Sequence, residues 1–167
     1  MNTTKILKLF IIMMMISCSN DDNSSQNPID QLPPETQTGA NTFGFLINGE
    51  PINITNTSNQ TAIYQGGFIQ FGAGGVYMVV VDPFTTNTPY KFMDIGAGNS
   101  RAEYKEKIFE NVFCIYDESD TYEGYVTFTK IDKVNYIISG TFEFSTVTDG
   151  CEDIKITNGR FDLEYIP

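Results

Sequence analysis

Residues 136–147 read Tyr136-Ile-Ile-Ser-Gly-Thr-Phe-Glu-Phe-Ser-Thr-Val147, and their apolar and polar side chains alternate with a period of two. Tyr136, Ile138, Phe142 and Phe144 fall on one side, Ser139, Thr141, Glu143 and Ser145 on the other, so one face belongs to a core. Gly140 interrupts the apolar row and marks a bulge or a close backbone approach. Phe161, Leu163 and Tyr165 alternate in the same way with Arg160, Asp162 and Glu164. Glu143, Asp162 and Glu164 are therefore expected on outward, solvated faces. Residues 125–131 make a further strand, and Asp132-Lys-Val-Asn135 is a polar connection of hairpin length that pairs it with the quoted stretch.

The pattern extends toward the N-terminus. Residues 42–47 and 51–55 flank Asn48-Gly49, a pair that tolerates positive φ and suits a tight hairpin turn. Residues 67–71 and 76–82 flank Gly72-Ala-Gly-Gly75, and Val76-Tyr-Met-Val-Val-Val81 is apolar on both faces, as a central strand should be. Ser100-Arg-Ala-Glu103 fits a capping box, and Tyr104, Ile108 and Val112 recur at helical spacing, so local signals predict a short helix or irregular crossover over 101–109. Residues 111–116 return to a strand pattern. Many short strands separated by turn signals predict an all-β domain over 42–167, an antiparallel β-sandwich or a flattened β-barrel.

Residues 1–17 have the layout of an export leader, with Lys5 and Lys8 ahead of the apolar run Leu9-Phe-Ile-Ile-Met-Met-Met-Ile16. That run is far shorter than the ~20 residues a spanning helix needs. Met15-Ile-Ser-Cys18 resembles the lipobox of bacterial lipoproteins, which implies a diacylglycerol on the Cys18 thiol and cleavage before it. Acyl chains anchor a soluble domain because each buried methylene contributes ~0.8 kcal/mol. Loss of Lys5 and Lys8 with the leader deepens the net charge from -11 to -13. Residues 18–41, poor in apolar side chains and rich in Ser, Asn, Asp, Gln and Pro, are expected to form a disordered tether with a reach of at most ~80 Å. Ser19-Asn-Asp-Asp22 resembles the acidic signal that sends lipoproteins of Bacteroidetes-type bacteria to the outer face of the outer membrane.

Gly140-Thr-Phe-Glu-Phe144 followed by Ile156-Thr-Asn-Gly-Arg-Phe-Asp162 resembles the signature of an uncharacterised domain family of Bacteroidetes-type lipoproteins. Ile47-Asn-Gly49 and Thr127-Phe-Thr-Lys-Ile-Asp132 match its opening strand and a segment before its final hairpins, so the resemblance covers most of 42–167. It implies a β fold and a lipid-anchored, exported location. It carries over no catalytic residue.

Composition removes much chemistry. The 167 residues contain no histidine and no tryptophan, which excludes His-dependent triads, His-ligated zinc and a Trp platform for sugars. With 10 Lys+Arg against 21 Asp+Glu, a phosphate backbone would be repelled, so nucleic acid is not an expected partner. In an exported domain, Cys114 and Cys151 are expected to form a disulfide. Asp117, Glu118, Asp120 and Glu123 lie within seven residues and could offer hard oxygen ligands to calcium, although the spacing is not that of an EF-hand. Asp149, Glu152 and Asp153 flank Cys151, and the disulfide would bring this second acidic loop toward the first. No other cofactor is implied. Gly72-x-Gly74-Gly75 and Gly96-x-Gly98 read as turns, not phosphate cradles. Among the tyrosines, Tyr77, Tyr90, Tyr122 and Tyr125 are the expected exposed ones. The sequence thus points to a non-enzymatic, membrane-anchored domain that binds or scaffolds an extracellular glycan or protein. The alternatives are a carboxylate-dependent glycan-active enzyme and a structural lipoprotein that packs on an outer-membrane partner.

Overall fold

A computed structural model of the chain describes residues 27–92, 100–109 and 112–167. The leader, Cys18 and the Gly96-x-Gly98 turn lie outside those residues. Among the described residues eleven strands follow in chain order: β1 (Thr42–Ile47), β2 (Glu50–Ile54), β3 (Gln60–Gln65), β4 (Phe68–Ala73), β5 (Val76–Val81) and β6 (Pro89–Lys91). They continue as β7 (Arg101–Phe109), β8 (Val112–Tyr116), β9 (Thr121–Asp132), β10 (Ile137–Thr146) and β11 (Ile154–Glu164). They form two antiparallel sheets, a six-stranded one in the order β2-β1-β11-β10-β9-β6 and a five-stranded one in the order β3-β4-β5-β7-β8. The sheets do not close on each other, so the domain is a β-sandwich and not a barrel.

The inward rows make the core. Phe43, Phe142 and Phe161 from the large sheet meet Phe71 from the small one, with Phe71 and Phe161 centroids 4.7 Å apart and Phe43 and Phe142 centroids 5.1 Å apart. Such tilted pairs add to the area each ring removes from water. Ile47 pairs with Glu50 across Asn48 and Gly49, whose φ values of 49° and 92° are those of the expected two-residue turn. β5, the apolar run, is the middle strand of its sheet. Gly140 faces Phe161, and an added Cβ would strike the Thr127 carbonyl oxygen. The β9 register shifts beside it, which is the bulge the sequence implied.

Residues 101–109 are not a helix or crossover. Ala102 and Tyr104 are buried while Arg101, Glu103, Lys105 and Lys107 point outward, and β7 pairs with β5 on one side and β8 on the other. The segment satisfies a period of two as well as 3.6, and two waiting strands decide between them. Ser100, read as a helix cap, is buried beside the start of β7.

A second correction concerns Asp162 and the segment before β1. Residues 27–41 are not a loose tether but a strap laid over the outer face of the large sheet. A 3-10 turn at Pro28–Gln31, capped by the Asn27 side chain, carries Leu32 to a buried position. Asn53 Nδ2 then donates to the Gln31 carbonyl at 2.7 Å, Arg160 Nη1 to the Pro33 carbonyl at 3.1 Å and Lys130 Nζ to the Gln37 carbonyl at 2.9 Å. Gly44 lies directly beneath Pro33, where any Cβ would collide with the ring.

The strap's fixed point is the Asp162 carboxylate. It accepts from Thr36 Oγ1 at 2.6 Å, from the Thr38, Gly39 and Ala40 amides at 2.9, 2.9 and 3.1 Å, and from Ser139 Oγ at 2.7 Å. The residue is 1% exposed. Burial alone would raise its pKa, but the donors more than offset it and hold the carboxyl well below the usual range. Asp162 does leave β11 on the outward side, as alternation required. The strap, not solvent, covers that side.

Candidate functional site

Where the strap ends, the outer face of the large sheet opens into a cleft of about 580 Å³. Its walls come from β6, β9, β10 and β11: Lys91, Tyr122, Glu123, Tyr125, Glu143 and Lys155 supply the exposed or half-exposed side chains. Alternation explains most of them. Tyr125 pairs with Glu143 on one side and with Lys91 on the other, and Glu123 pairs with Ser145, so all of these project from the same face. Lys155 pairs with Ser145 from the opposite strand. Glu35 of the strap joins Tyr125, Glu143 and Arg160 around an adjoining smaller hollow of about 170 Å³, so the strap borders the recess.

Tyr122 departs from the alternation. β9 pairs Glu123 with Ser145 and Thr121 with Thr146, which leaves Tyr122 as the extra residue of a bulge. A bulge re-aims a side chain, and Tyr122 stands 64% exposed at the rim. Two residues on, Gly124 has φ 145°, and a Cβ there would run into Phe144 and the Glu143 carbonyl. The irregular stretch is further tied down by the Phe92 amide, which donates to the Gly124 carbonyl at 3.0 Å.

The cleft carries mixed charge. Glu143 beside the Tyr125 phenol, helped by burial, raises the phenol pKa. Ser145 Oγ donates to Glu123 Oε1 at 3.1 Å and orients that carboxylate. The site therefore presents two aromatic faces, two cations, two carboxylates and a fixed phenol, an assortment suited to an uncharged polar ligand with an apolar face.

The acidic run does not gather as calcium ligation would require. Asp117 accepts from the Ser119 hydroxyl and amide, which lower its pKa, while Asp120 accepts from the Asp117 amide. Glu118 pairs with Arg101 at 2.8 Å, and Glu123 turns into the cleft. Among the described residues, no three acidic, cysteine or histidine side chains converge as a metal-binding group. Tyr116 OH reaches the Glu152 carbonyl at 2.7 Å, but the loop of Asp149, Glu152 and Asp153 adds no such group. The Cys114–Cys151 disulfide is present, with Cα atoms 6.0 Å apart, and staples β8 of one sheet to the β10–β11 connection of the other.

Of the tyrosines expected at the surface, Tyr122 and Tyr125 are there. Tyr77 and Tyr90 are half-buried, the first donating to Gln70 and the second accepting from the Thr85 amide. The cleft's charged members Lys91, Glu143 and Lys155 drew no attention as a group in the sequence, because only strand register unites them. The chain matches no protein-family model, no curated protein and no solved structure. Among the described residues, no helix is long and apolar enough to cross a membrane.

Proposed function

We propose that this protein is a lipid-anchored binding module of the outer membrane that holds a glycan in the cleft of the large sheet. The observation that carries the reading is the pairing of Tyr122 and Tyr125 with Glu123, Glu143, Lys91 and Lys155 in one recess. A pyranose offers an apolar face for a tyrosine ring and hydroxyls for carboxylates and ammonium groups. The net negative charge speaks against nucleic acid and other polyanions. The lipobox-like Met15-Ile-Ser-Cys18, the short leader and the resemblance to a lipoprotein domain family support anchoring through Cys18 at the cell surface.

The test is a melting series of the mature protein with neutral and acidic oligosaccharides. A bound sugar raises the melting temperature, by about 2.7 kcal/mol of stabilisation at a hundredfold excess over Kd. The rise should vanish in Tyr122→Ala, whose own stability should match the parent because the side chain is exposed. No shift with any sugar would refute the glycan reading and redirect the search to an extended peptide.

Glu123 and Glu143 share the recess, which favours one second reading, a glycan hydrolase using carboxylates alone. New reducing ends from the same oligosaccharides, lost in Glu123→Gln or Glu143→Gln, would establish it.

A further inference from the structure

Sheet edges offer unpaired backbone groups to other chains, and natural sandwiches block them with prolines, charges or covering segments. Three edges of this sandwich are blocked. β2 contains Pro51 and has the 3-10 turn of the strap beside it. β6 is three residues long, Pro89-Tyr-Lys91. β3 is capped by the C-terminal segment, where Ile166 bridges Ile63, accepts from the Tyr64 amide at 2.8 Å and donates to Ala62 at 2.9 Å.

β8 is different. Val112-Phe-Cys-Ile-Tyr116 has no proline and no charge, and among the described residues no strand pairs with its far side. Its outward side chains, Phe113 and Ile115, are 42% and 59% exposed. The strand is nevertheless held firmly from within, by the Cys114–Cys151 disulfide and by the Tyr116 hydroxyl on Glu152. An open edge that is pinned in its paired geometry is preorganised for one more strand.

We propose that β8 is a dimer edge, pairing antiparallel with β8 of a second copy about a two-fold axis at Cys114. The strand is self-complementary under that operation. Phe113 of one copy faces Ile115 of the other, twice, so the exposed apolar pair is matched on both sides of the axis. The flanking charges are also complementary. Lys105 and Lys107 stand on β7 beside Ile115 and Phe113, with Lys105 Nζ 4.3 Å from the Phe113 ring centroid. The exposed Asp117 follows β8 on the same outward row. The two-fold axis carries Asp117 of each copy toward the end of the sheet where Lys107 of the other stands. The result is one continuous sheet made from two five-stranded ones.

Sedimentation equilibrium of the full-length protein in detergent, over a concentration series, tests this. The parent should be a dimer. Ile115→Lys and Phe113→Asp should each weaken self-association by about tenfold or more, because a charge then faces an apolar side chain twice. Mixing the two variants should restore a heterodimer, since the new lysine of one chain faces the new aspartate of the other. Melting temperatures check that both variants fold; if Phe113→Asp does not, Phe113→Glu replaces it in the mixture. A monomeric parent at every concentration, or dimers that persist in both variants, overturns the proposal. Failure of the mixture to dimerise overturns the register. None of these outcomes bears on the cleft of the opposite sheet, so the glycan reading stands or falls separately.

Discussion

Asp162→Asn changes one oxygen to an amide and should detach the strap. The carboxylate receives three backbone amides and the hydroxyls of Thr36 and Ser139. An asparagine can turn its oxygen toward Thr36, Thr38 and Ala40, which converge on Oδ2. Its NH2 group then confronts the Gly39 amide, a donor facing a donor. An unsatisfied buried donor costs about 1–3 kcal/mol, and the remaining bonds lose their charge assistance, so about 3 kcal/mol is expected in all. Urea unfolding at pH 7, followed by circular dichroism because the chain has no tryptophan, would measure it. Amide exchange at Thr38, Gly39 and Ala40 should accelerate in the same variant. The pH dependence has a definite sign. The folded pKa of Asp162 lies below its unfolded value of about 3.9, so its contribution is complete above that pH. It fades as pH falls through the folded pKa, and the gap between parent and Asp162→Asn should narrow below about pH 4. A variant within about 0.5 kcal/mol of the parent at pH 7, or a gap that is unchanged in acid, would refute this account of the strap.

Three further outcomes are expected. Reduction of Cys114–Cys151, which closes a loop of sequence separation 37, should lower stability by about 4 kcal/mol, read as the difference between urea midpoints with and without reductant. Gly44→Ala should lift Pro33 from the sheet and speed exchange in residues 33–40 while β10 and β11 keep their protection, because the new methyl occupies the ring's place. Tyr104, pushed up to about 12 by burial and by the nearby Glu106 and Tyr116, should titrate among the late phenols in an ultraviolet titration, together with the also raised Tyr77, Tyr116, Tyr125 and Tyr165, and Tyr104→Phe should shrink that late step by one phenol. Because its folded pKa is raised, the unfolded chain ionises first, so stability falls as pH climbs above about 10.

Much of the sandwich could be read from residue spacing because half-buried strands write their burial into alternate positions. Ile138, Phe142 and Phe144 of the quoted stretch, the Asn48-Gly49 turn and the central β5 all follow from neighbours in sequence. Tyr136, by contrast, is not on the core row but 44% exposed in the turn before β10, and Ser139 and Ser145 on the opposite row are buried as well. Residues 101–109 did not, because Ala102, Tyr104 and the charges between them fit two periods, and only β5 and β8 select one. Asp162 was legible as outward-facing but not as buried, since what covers it arrives from more than a hundred residues away. The cleft was legible only in part: the sequence marks Glu123 as a calcium ligand, not a cleft wall, and Tyr122 and Tyr125 as exposed without uniting them. Nothing in β6 or β11 announced that Lys91 and Lys155 would join them, because strand order is set by tertiary packing.

On the proposed anchoring through Cys18, the strap also limits how far the domain can travel. A wholly free tether from Cys18 to β1 would let it roam ~80 Å from an acylated cysteine. With 27–41 fastened across the large sheet, the residues from Cys18 to the first anchored turn can span at most ~30 Å even fully extended. On the proposed anchoring, the chain enters the domain beside β2 and holds it within ~30 Å of the acylated cysteine, so the module stays near the headgroups instead of fishing far beyond them. Cutting the strap loose through Asp162 would lengthen the leash without adding a residue.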